Sequence, residues 1–392
     1  MKILLTACVA AANAFYLLCI IAAHRFFSKR KELLSEELPP ATIMIPLNGA
    51  DFGAYQNYAE FCQQDYPRYQ IVFGVRDASD TAVPVVEKLI TDFPDSDIEL
   101  VICPDAIGQN LKVSNLQNML SRVKHDRIVI VDSDIRVGRD WLRRIVPILN
   151  DRRVGLVTCL YRAAEAPGFA AKIEAIGITA EFHPGVLVAR MLEGVKFALG
   201  STMATTRERL DEIGGFHALK DYLADDFMLG NLIAARGYAV QISDYVVELR
   251  FAPTSFWSMM RHQMRWSRST RRSRPAGYFG LILTYGTALA LLNAGISAAS
   301  MFSLILLGAT LIIRMMMGWM IGVHWLGDKI LKKNFLLLPA RDVLSFVIWC
   351  LSWVGKRVEW RGRTYEIVGD GKIVEVDDEN SLTKHAGAFT SN

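Results

Sequence analysis

The sequence predicts an α/β protein in which a mostly parallel, doubly wound sheet is carried between membrane-embedded helices, and three observations predict it. Short β-branched, apolar runs alternate with amphipathic helical patterns from residue 41 to residue 131. Residues 3–23 form an apolar run long enough for one membrane crossing, and residues 279–326 form another, whose only charge is Arg314, long enough for two. Basic residues cluster beside these runs, while the net charge of +4 is small and scattered. With no nucleic-acid-binding motif present, nucleic acid is excluded as a partner. The hydrophobic content of 52% is high for a wholly soluble enzyme, and the two runs hold the excess. The expected organisation is an anchor over 1–25, a soluble domain over 40–275, two transmembrane helices within 279–326, a further apolar segment over 335–354 and a tail over 355–392.

The first run could be a cleavable leader, since Ala12-Asn13-Ala14 resembles a cleavage site. The apolar stretch continues through Phe15 to Ala23, however, so cleavage there would halve it, and an uncleaved anchor is expected. Arg25, Lys29, Arg30 and Lys31 follow the run and only Lys2 precedes it, which places the following residues in the cytoplasm. The cysteines agree. Cys8 and Cys19 lie in the anchor, and Cys62, Cys103, Cys159 and Cys350 have neither CxxC spacing nor a disulfide pattern.

Residues 41–46 read as the first strand, ending on Pro46, with a turn over 47–51 and a helix through Tyr58 to Cys62. A second strand, 70–75, ends on Arg76-Asp77. Strands 98–102 and 127–131 follow, with helical patterns around 82–93 and 113–123. Beyond Asp134 the pattern is less regular until Gly200. No GxGxxG or Walker loop accompanies these strands, so a nucleotide would have to be held by side chains and a metal.

Asp132, Ser133 and Asp134 stand at the carboxyl end of the most apolar strand. Ligands of open α/β sheets sit outside that rim, and two acids at i and i+2 offer hard oxygens to a divalent cation that also bridges phosphates. A plain strand-end turn is the alternative. Asp95-Ser96-Asp97 has the same spelling, but after Pro94 it reads as a solvated turn. Asp77 is on the rim with Asp132, or else caps a helix. Lys112 and Asn115, in a stretch that also fits a surface loop, stand where a phosphate or ribose would be gripped. Asp225 and Asp226 open an apolar helix, as capping and dipole partners or with one of them as a general base. In residues 256–272, Arg261, Arg265, Arg268 and Arg272 share one helical face, and Trp257, Met260 and Met264 another. That face suits lipid headgroups or a phosphate held at the bilayer surface, and both can hold at once.

Residues 335–354 carry Pro339, Arg341 and Asp342, which leaves only the stretch from Val343 to Val354 uninterrupted, short for a span. Lys356, Arg357, Arg361 and Arg363 follow at once. A re-entrant or interfacial segment is expected, with the tail beside the soluble domain, a complete fourth span being the alternative.

Asp77, Asp132-Ser133-Asp134, Asp225-Asp226 and Arg265-Trp266, in that order between membrane segments, resemble the family-2-type inverting glycosyltransferases with a GT-A fold. FCQQDYPRYQIVFGVRD, NLKVSNL, DSDIRV, His183-Pro184, LADD and the tail EWRGRTY are similar to ceramide glucosyltransferases and to bacterial hopanoid glycosyltransferases, which attach N-acetylglucosamine to bacteriohopanetetrol. The resemblance implies a UDP-sugar donor and a membrane lipid acceptor. It assigns Asp77 to the uridine, Asp132 and Asp134 to the diphosphate through Mg2+ or Mn2+, and Asp226 to the role of catalytic base. Arg265 and Trp266 match the Arg-Trp of a Gln/Arg-x-x-Arg-Trp motif that stabilises the departing diphosphate or shapes the acceptor site. His262 stands at the motif's first position, a departure from the pattern. His183 matches a family histidine linked to the active site, although a lone histidine is more often structural. Pro46, Lys112, Asn115, Asp225, His183 and His262 complete the expected substrate side. The expected enzyme is a multi-pass protein of a bacterial inner membrane with its catalytic domain in the cytoplasm. Stretches such as GVLVARM and SRPAGYFG favour transfer of N-acetylglucosamine to a hopanoid polyol, with glucose to ceramide as the alternative. A catalytically silent lipid-binding scaffold is the reading from another class.

Overall fold

A computed structural model describes residues 2–28 and 37–376; Lys29, Arg30 and Lys31 of the basic cluster lie outside the described residues. Four strands, β1 (Ala41–Pro46), β2 (Tyr69–Val75), β3 (Asp97–Ile102) and β4 (Arg127–Ile130), lie in the order β3-β2-β1-β4, all parallel. Successive side chains of a strand point to opposite faces. Ile43 and Ile45 accordingly join Tyr58, Phe61, Val86 and Leu89 in one core layer, while Met44 joins Val113, Leu116 and Met119 in the other. Fully burying each such side chain contributes about 1.5–3 kcal/mol, which is why β1 is a continuous apolar run rather than an alternating one. Its residues are all buried.

The sheet continues past β4 in a way the residue pattern did not announce. β5 (Ile135–Arg136), β6 (Val154–Glu165), β7 (Met203–Thr206) and β8 (Ala239–Arg250) extend the order to β4-β7-β6-β8-β5. β7 runs antiparallel between β4 and β6, β8 is parallel to β6, and β5 is antiparallel to β8. The pairing of β6 with β8 shifts register at Val154/Leu156, Cys159/Leu160 and Ala163/Glu165. Each shift resets the two-residue period, so the stretch read as irregular hides a long strand, β6, ahead of the helices Gly168–Gly177 and His183–Glu193.

Lys2–Phe27, Met301–Trp325 and Phe335–Ser352 are long and apolar enough to cross a membrane, and Pro275–Thr284 with Gly286–Ile296 forms a pair bent by 59°. Tyr16 bridges the break: its hydroxyl donates to the Thr284 carbonyl at 2.9 Å and accepts the Gly286 N–H at 2.8 Å. Thr6 reaches Asn293 and Asn13 reaches Thr310, while Phe27 stacks on Trp325 with centroids 6.0 Å apart. Gly286–Ile296 therefore runs antiparallel to the first helix and Met301–Trp325 parallel to it. The only charge in the second apolar run, Arg314, meets Asp342 at 2.6 Å, and Thr287 donates to the second oxygen of that carboxylate. Two charges that each look misplaced in sequence satisfy one another in the apolar layer.

Both ends of Phe335–Ser352 touch elements of the soluble domain. Arg341 donates to Gln263 at 3.0 Å, and Arg271 and Arg268 donate to the carbonyls of Trp353 and Val354 at 2.7 and 2.9 Å. The preceding loop does so too, since Arg162 of β6 donates to the Leu326 carbonyl at 2.6 Å. The tail then forms an antiparallel sheet of β9 (Arg357–Trp360), β10 (Arg363–Val368) and β11 (Lys372–Glu375). It packs Val358, Tyr365, Ile367 and Ile373 against Leu223.

Candidate active site

The parallel half of the sheet delivers its strand ends to one rim, and Asp132 and Asp134 stand there past β4 as the residue pattern requires. Lys112, in the first turn of helix Leu111–Met119, reaches Asp132 at 2.7 Å and Asp225 at 3.3 Å. Burial alone would depress its ammonium, but Asp132 and then Asp225 outweigh burial and hold it above the usual lysine range. Asp134 is deeper. Burial, then repulsion from Asp132 and Asp51, pushes its carboxyl up to about 8. Ser133 donates to Asp51, which brings the loop after β1 against this strand end.

Asp225 and Asp226 open helix Asp225–Ala235. Asp226 accepts the Gly200 N–H on one oxygen at 2.9 Å and its neighbour's Phe227 N–H on the other at 2.7 Å. Burial and then Asp225 raise its carboxyl to about 6, with Lys112 opposing them. A Cβ on Gly200 would stand 3.2 Å from both Asp132 Oδ2 and Asp226 Oδ2. Glycine is thus the residue that lets the two carboxylates approach.

Arg265 and Trp266 arrive on helix Phe256–Ser273. Arg265 is half-buried and forms no ion pair among the described residues. Burial, then the neighbouring guanidinium of Arg361, brings it down to about 10, so it stays charged at neutral pH. His262 lies under Trp266 with ring centroids 4.3 Å apart, and its Nδ1 is 2.6 Å from Glu174 Oε1, which also accepts from Gln263 at 3.1 Å. The histidine in the motif's first position thus serves as a polar partner of a buried carboxylate. Two more arginines of that face meet protein: Arg261 reaches Glu359 at 3.6 Å, and Arg268 donates to the Arg357 carbonyl.

Other expected residues lie elsewhere or act differently. Pro46 ends β1 at the rim, opposite Gly74 of β2. Asp77 is exposed on the same rim, and its Oδ1 accepts the Ser79 N–H and hydroxyl at 2.8 and 2.9 Å, which lowers its pKa. It makes that local turn and does not cap helix Val83–Asp92. Asn115 does not face the cleft. It is enclosed, and its amide donates to the Leu47 and Gly74 carbonyls, at 3.3 and 2.7 Å, tying the ends of β1 and β2 together where the Gly74 carbonyl also accepts the Leu47 N–H at 2.8 Å. His183 is likewise fully buried, with Nε2 2.7 Å from the Tyr161 carbonyl, and desolvation lowers it to about 4, a neutral ring that holds β6 in place. Residue pattern gave no role at the site to Asp51, Glu174, Gly200 or Arg361, although Arg361 lies in the EWRGRTY stretch. The signal available for Arg361 was its place with Gly362 between two β-rich stretches, where a tight hairpin ordinarily takes Asn, Asp or Gly before the glycine.

The fit of a metal follows from the donor set. Among the described residues no group of three His, Cys, Asp or Glu side chains forms a closed cage. A cation held by one or two carboxylates and by substrate phosphates needs none, and Asp134, raised first by burial and then by its acidic neighbours, is a carboxyl whose charge a cation would restore. Asp132 and Asp134 therefore fit a divalent cation bound together with a diphosphate.

A parallel sheet with an acidic rim, a mixed second half and apolar helices at both chain ends define the class of protein, a GT-A glycosyltransferase fold joined to membrane helices. The chain belongs to glycosyl transferase family 21, which it matches over residues 4–373. It is 28% identical over 256 residues to ceramide glucosyltransferase 3 of Caenorhabditis elegans, covering 64% of this chain and 55% of that protein. Identity to a ceramide glucosyltransferase of Komagataella phaffii is 34% over 129 residues, 32% of this chain and 25% of that one. The chain spans about half the length of the curated Caenorhabditis relatives it matches. A mannosyltransferase from Pyrobaculum calidifontis, solved in complex with GDP-Man and Mn2+, shares the fold with a TM-score of 0.54 at 20% identity, over 90% of this chain and 98% of that one.

Proposed function

We propose that the chain is an inverting membrane glycosyltransferase that moves a sugar from a UDP-sugar to a hydroxyl of a membrane lipid. The observation that carries this reading is Asp226, a carboxylate raised to about 6, set by two backbone N–H groups beside the Lys112–Asp132 pair. An acceptor hydroxyl must lose its proton as it attacks, and a carboxylate with that pKa is ionised at neutral pH and still a useful base. Asp77 would hold the uridine side. Asp132 and Asp134 would hold Mg2+ or Mn2+ on the diphosphate, and that ion would neutralise negative charge on the leaving group. Arg265 stabilises the same charge electrostatically, as it develops in an oxocarbenium-like transition state. One displacement inverts the anomeric centre. His262, held by the buried Glu174, lies on the helix that Arg341 also reaches through Gln263 and belongs to acceptor binding.

Both ends of Phe335–Ser352 and the loop before it contact the soluble domain, which supports three crossings: Lys2–Phe27, the bent pair, and Met301–Trp325. Phe335–Ser352 then enters the apolar layer, where Asp342 meets Arg314, and returns to the side it left, with the catalytic domain and the tail together in the cytoplasm. For the finer chemistry, the ceramide glucosyltransferase relatives support glucose and ceramide, while the hopanoid reading with N-acetylglucosamine rests on the residues quoted above. Purified protein is incubated with UDP-glucose or UDP-N-acetylglucosamine, Mn2+ and vesicles containing ceramide or bacteriohopanetetrol, and products are identified by mass spectrometry. A glycosylated lipid decides the pair, and the absence of UDP release with every combination would refute the transferase in favour of a silent scaffold.

A further inference from the structure

The turn between β9 and β10 is made by Arg361 and Gly362, both at positive φ, 50° and 76°. Two such residues joining antiparallel strands form a tight turn whose first position favours Asn, Asp or Gly. An arginine there sits in the left-handed region at a cost of about 1–2 kcal/mol. Breaking a local rule in this way points to a function at the turn, and the surroundings supply one.

Arg361 Nη1 donates to the Asn48 carbonyl at 3.2 Å, in the loop that follows β1. Its charge acts on Asp134 and on Arg265, and the adjacent Trp360 ring lies under the Arg265 guanidinium at 5.9 Å. Arg361 is exposed and forms no ion pair among the described residues, so most of its five donors are open. The small sheet that carries it is fixed to both walls of the cleft. On one side Ile373 and Leu223 exchange backbone bonds with Asp221 and Gly371, and the Glu375 N–H donates to Gln109, three residues before Lys112. On the other side Glu359 and the Arg357 carbonyl meet Arg261 and Arg268. Arg361 thus stands at the tip of a bridge across the rim. Two neighbouring guanidiniums, neither neutralised by a carboxylate, repel one another until an anion joins them, and a diphosphate accepts the planar donor fork of each.

We propose that the β9–β10 hairpin is a lid on the donor site and that Arg361 is a diphosphate-binding residue, acting with Arg265 on the pyrophosphate group of a nucleoside diphosphate sugar. This rests on the donor-site reading above. The test is calorimetric titration of the full-length protein in detergent, with MnCl2, using inorganic pyrophosphate and UDP as probes. Arg361→Gly suits the turn, because glycine adopts the positive φ without strain and only the guanidinium is lost. It should weaken both probes about tenfold, the effect of one charge-assisted contact, with the lipid acceptor KM unchanged. Arg361→Lys should recover part of the loss. Arg363→Ala, whose guanidinium pairs with Glu375 at 2.9 Å on the next strand, should change neither. Pyrophosphate affinity of Arg361→Gly within twofold of wild type, in a protein that transfers sugar, would overturn the lid and leave the transferase standing. Arg361-dependent pyrophosphate binding in a protein that transfers no sugar would uphold the site and refute the transferase.

Discussion

Replacing Asp226 by Asn removes the proposed base and keeps its shape. Both carboxylate oxygens accept backbone N–H groups, from Gly200 and Phe227. An asparagine keeps one acceptor and turns an NH2 group toward the other donor. One hydrogen bond to a charged group is lost, about 1.5–3 kcal/mol, enough to lower the melting temperature without unfolding the domain. Loss of a general base costs about 10²–10⁴-fold in kcat. UDP affinity should hold or tighten, because a negative charge beside the diphosphate site disappears. Wild-type kcat should fall on the acid side with a midpoint near 6, where burial and Asp225 place the carboxyl, reaching about a tenth of its plateau one unit lower. The sign of the stability effect is opposite. A carboxyl raised in the folded state stabilises the fold fully below its ordinary value near 3.8, and that contribution is lost as pH rises through about 6. Acid loss of activity therefore cannot be assigned to unfolding through this group. UDP release at saturating donor and acceptor from pH 5 to 8.5, with UDP titration calorimetry, measures both effects. An Asp226→Asn enzyme that retains a tenth of wild-type kcat, or keeps the acid limb at the same midpoint, would refute the assignment.

The remaining expectations concern the cation, the motif histidine and the helix bundle. Asp132→Ala or Asp134→Ala should weaken Mn2+-dependent UDP binding, and unchanged affinity with and without metal would sink the rim assignment. Because Asp134 is raised to about 8, protons compete with the cation at neutral pH, so Mn2+ affinity measured at constant UDP should rise about tenfold from pH 7 to pH 9. His262→Gln, which can still donate to Glu174, should keep acceptor KM within a few-fold, whereas His262→Ala should raise it; equal effects would show that the contact is not used. Arg314→Met leaves Asp342 buried without its partner and should destabilise by about 3–5 kcal/mol, while Arg314→Met with Asp342→Leu should melt higher than the single variant in detergent.

Local pattern determined β1 to β4, the rim acids, the helix opened by Asp225 and Asp226, and the arginine-bearing helix, because strand and helix periods are written in neighbouring residues. It could not supply β6 and β8, whose bulges break the period that would have marked them. Nor could it orient a polar side chain: Asn115 and Lys112 lie three positions apart on one helix, yet one is spent on strand carbonyls and the other on the rim acids. The pairing of Arg314 with Asp342, the clearance that Gly200 leaves between Asp132 and Asp226, and the reach of Arg361 to Asn48 were decided only by the tertiary structure. Each joins residues distant in the chain, and which distant groups meet depends on how whole elements pack, a choice that no window of adjacent residues contains.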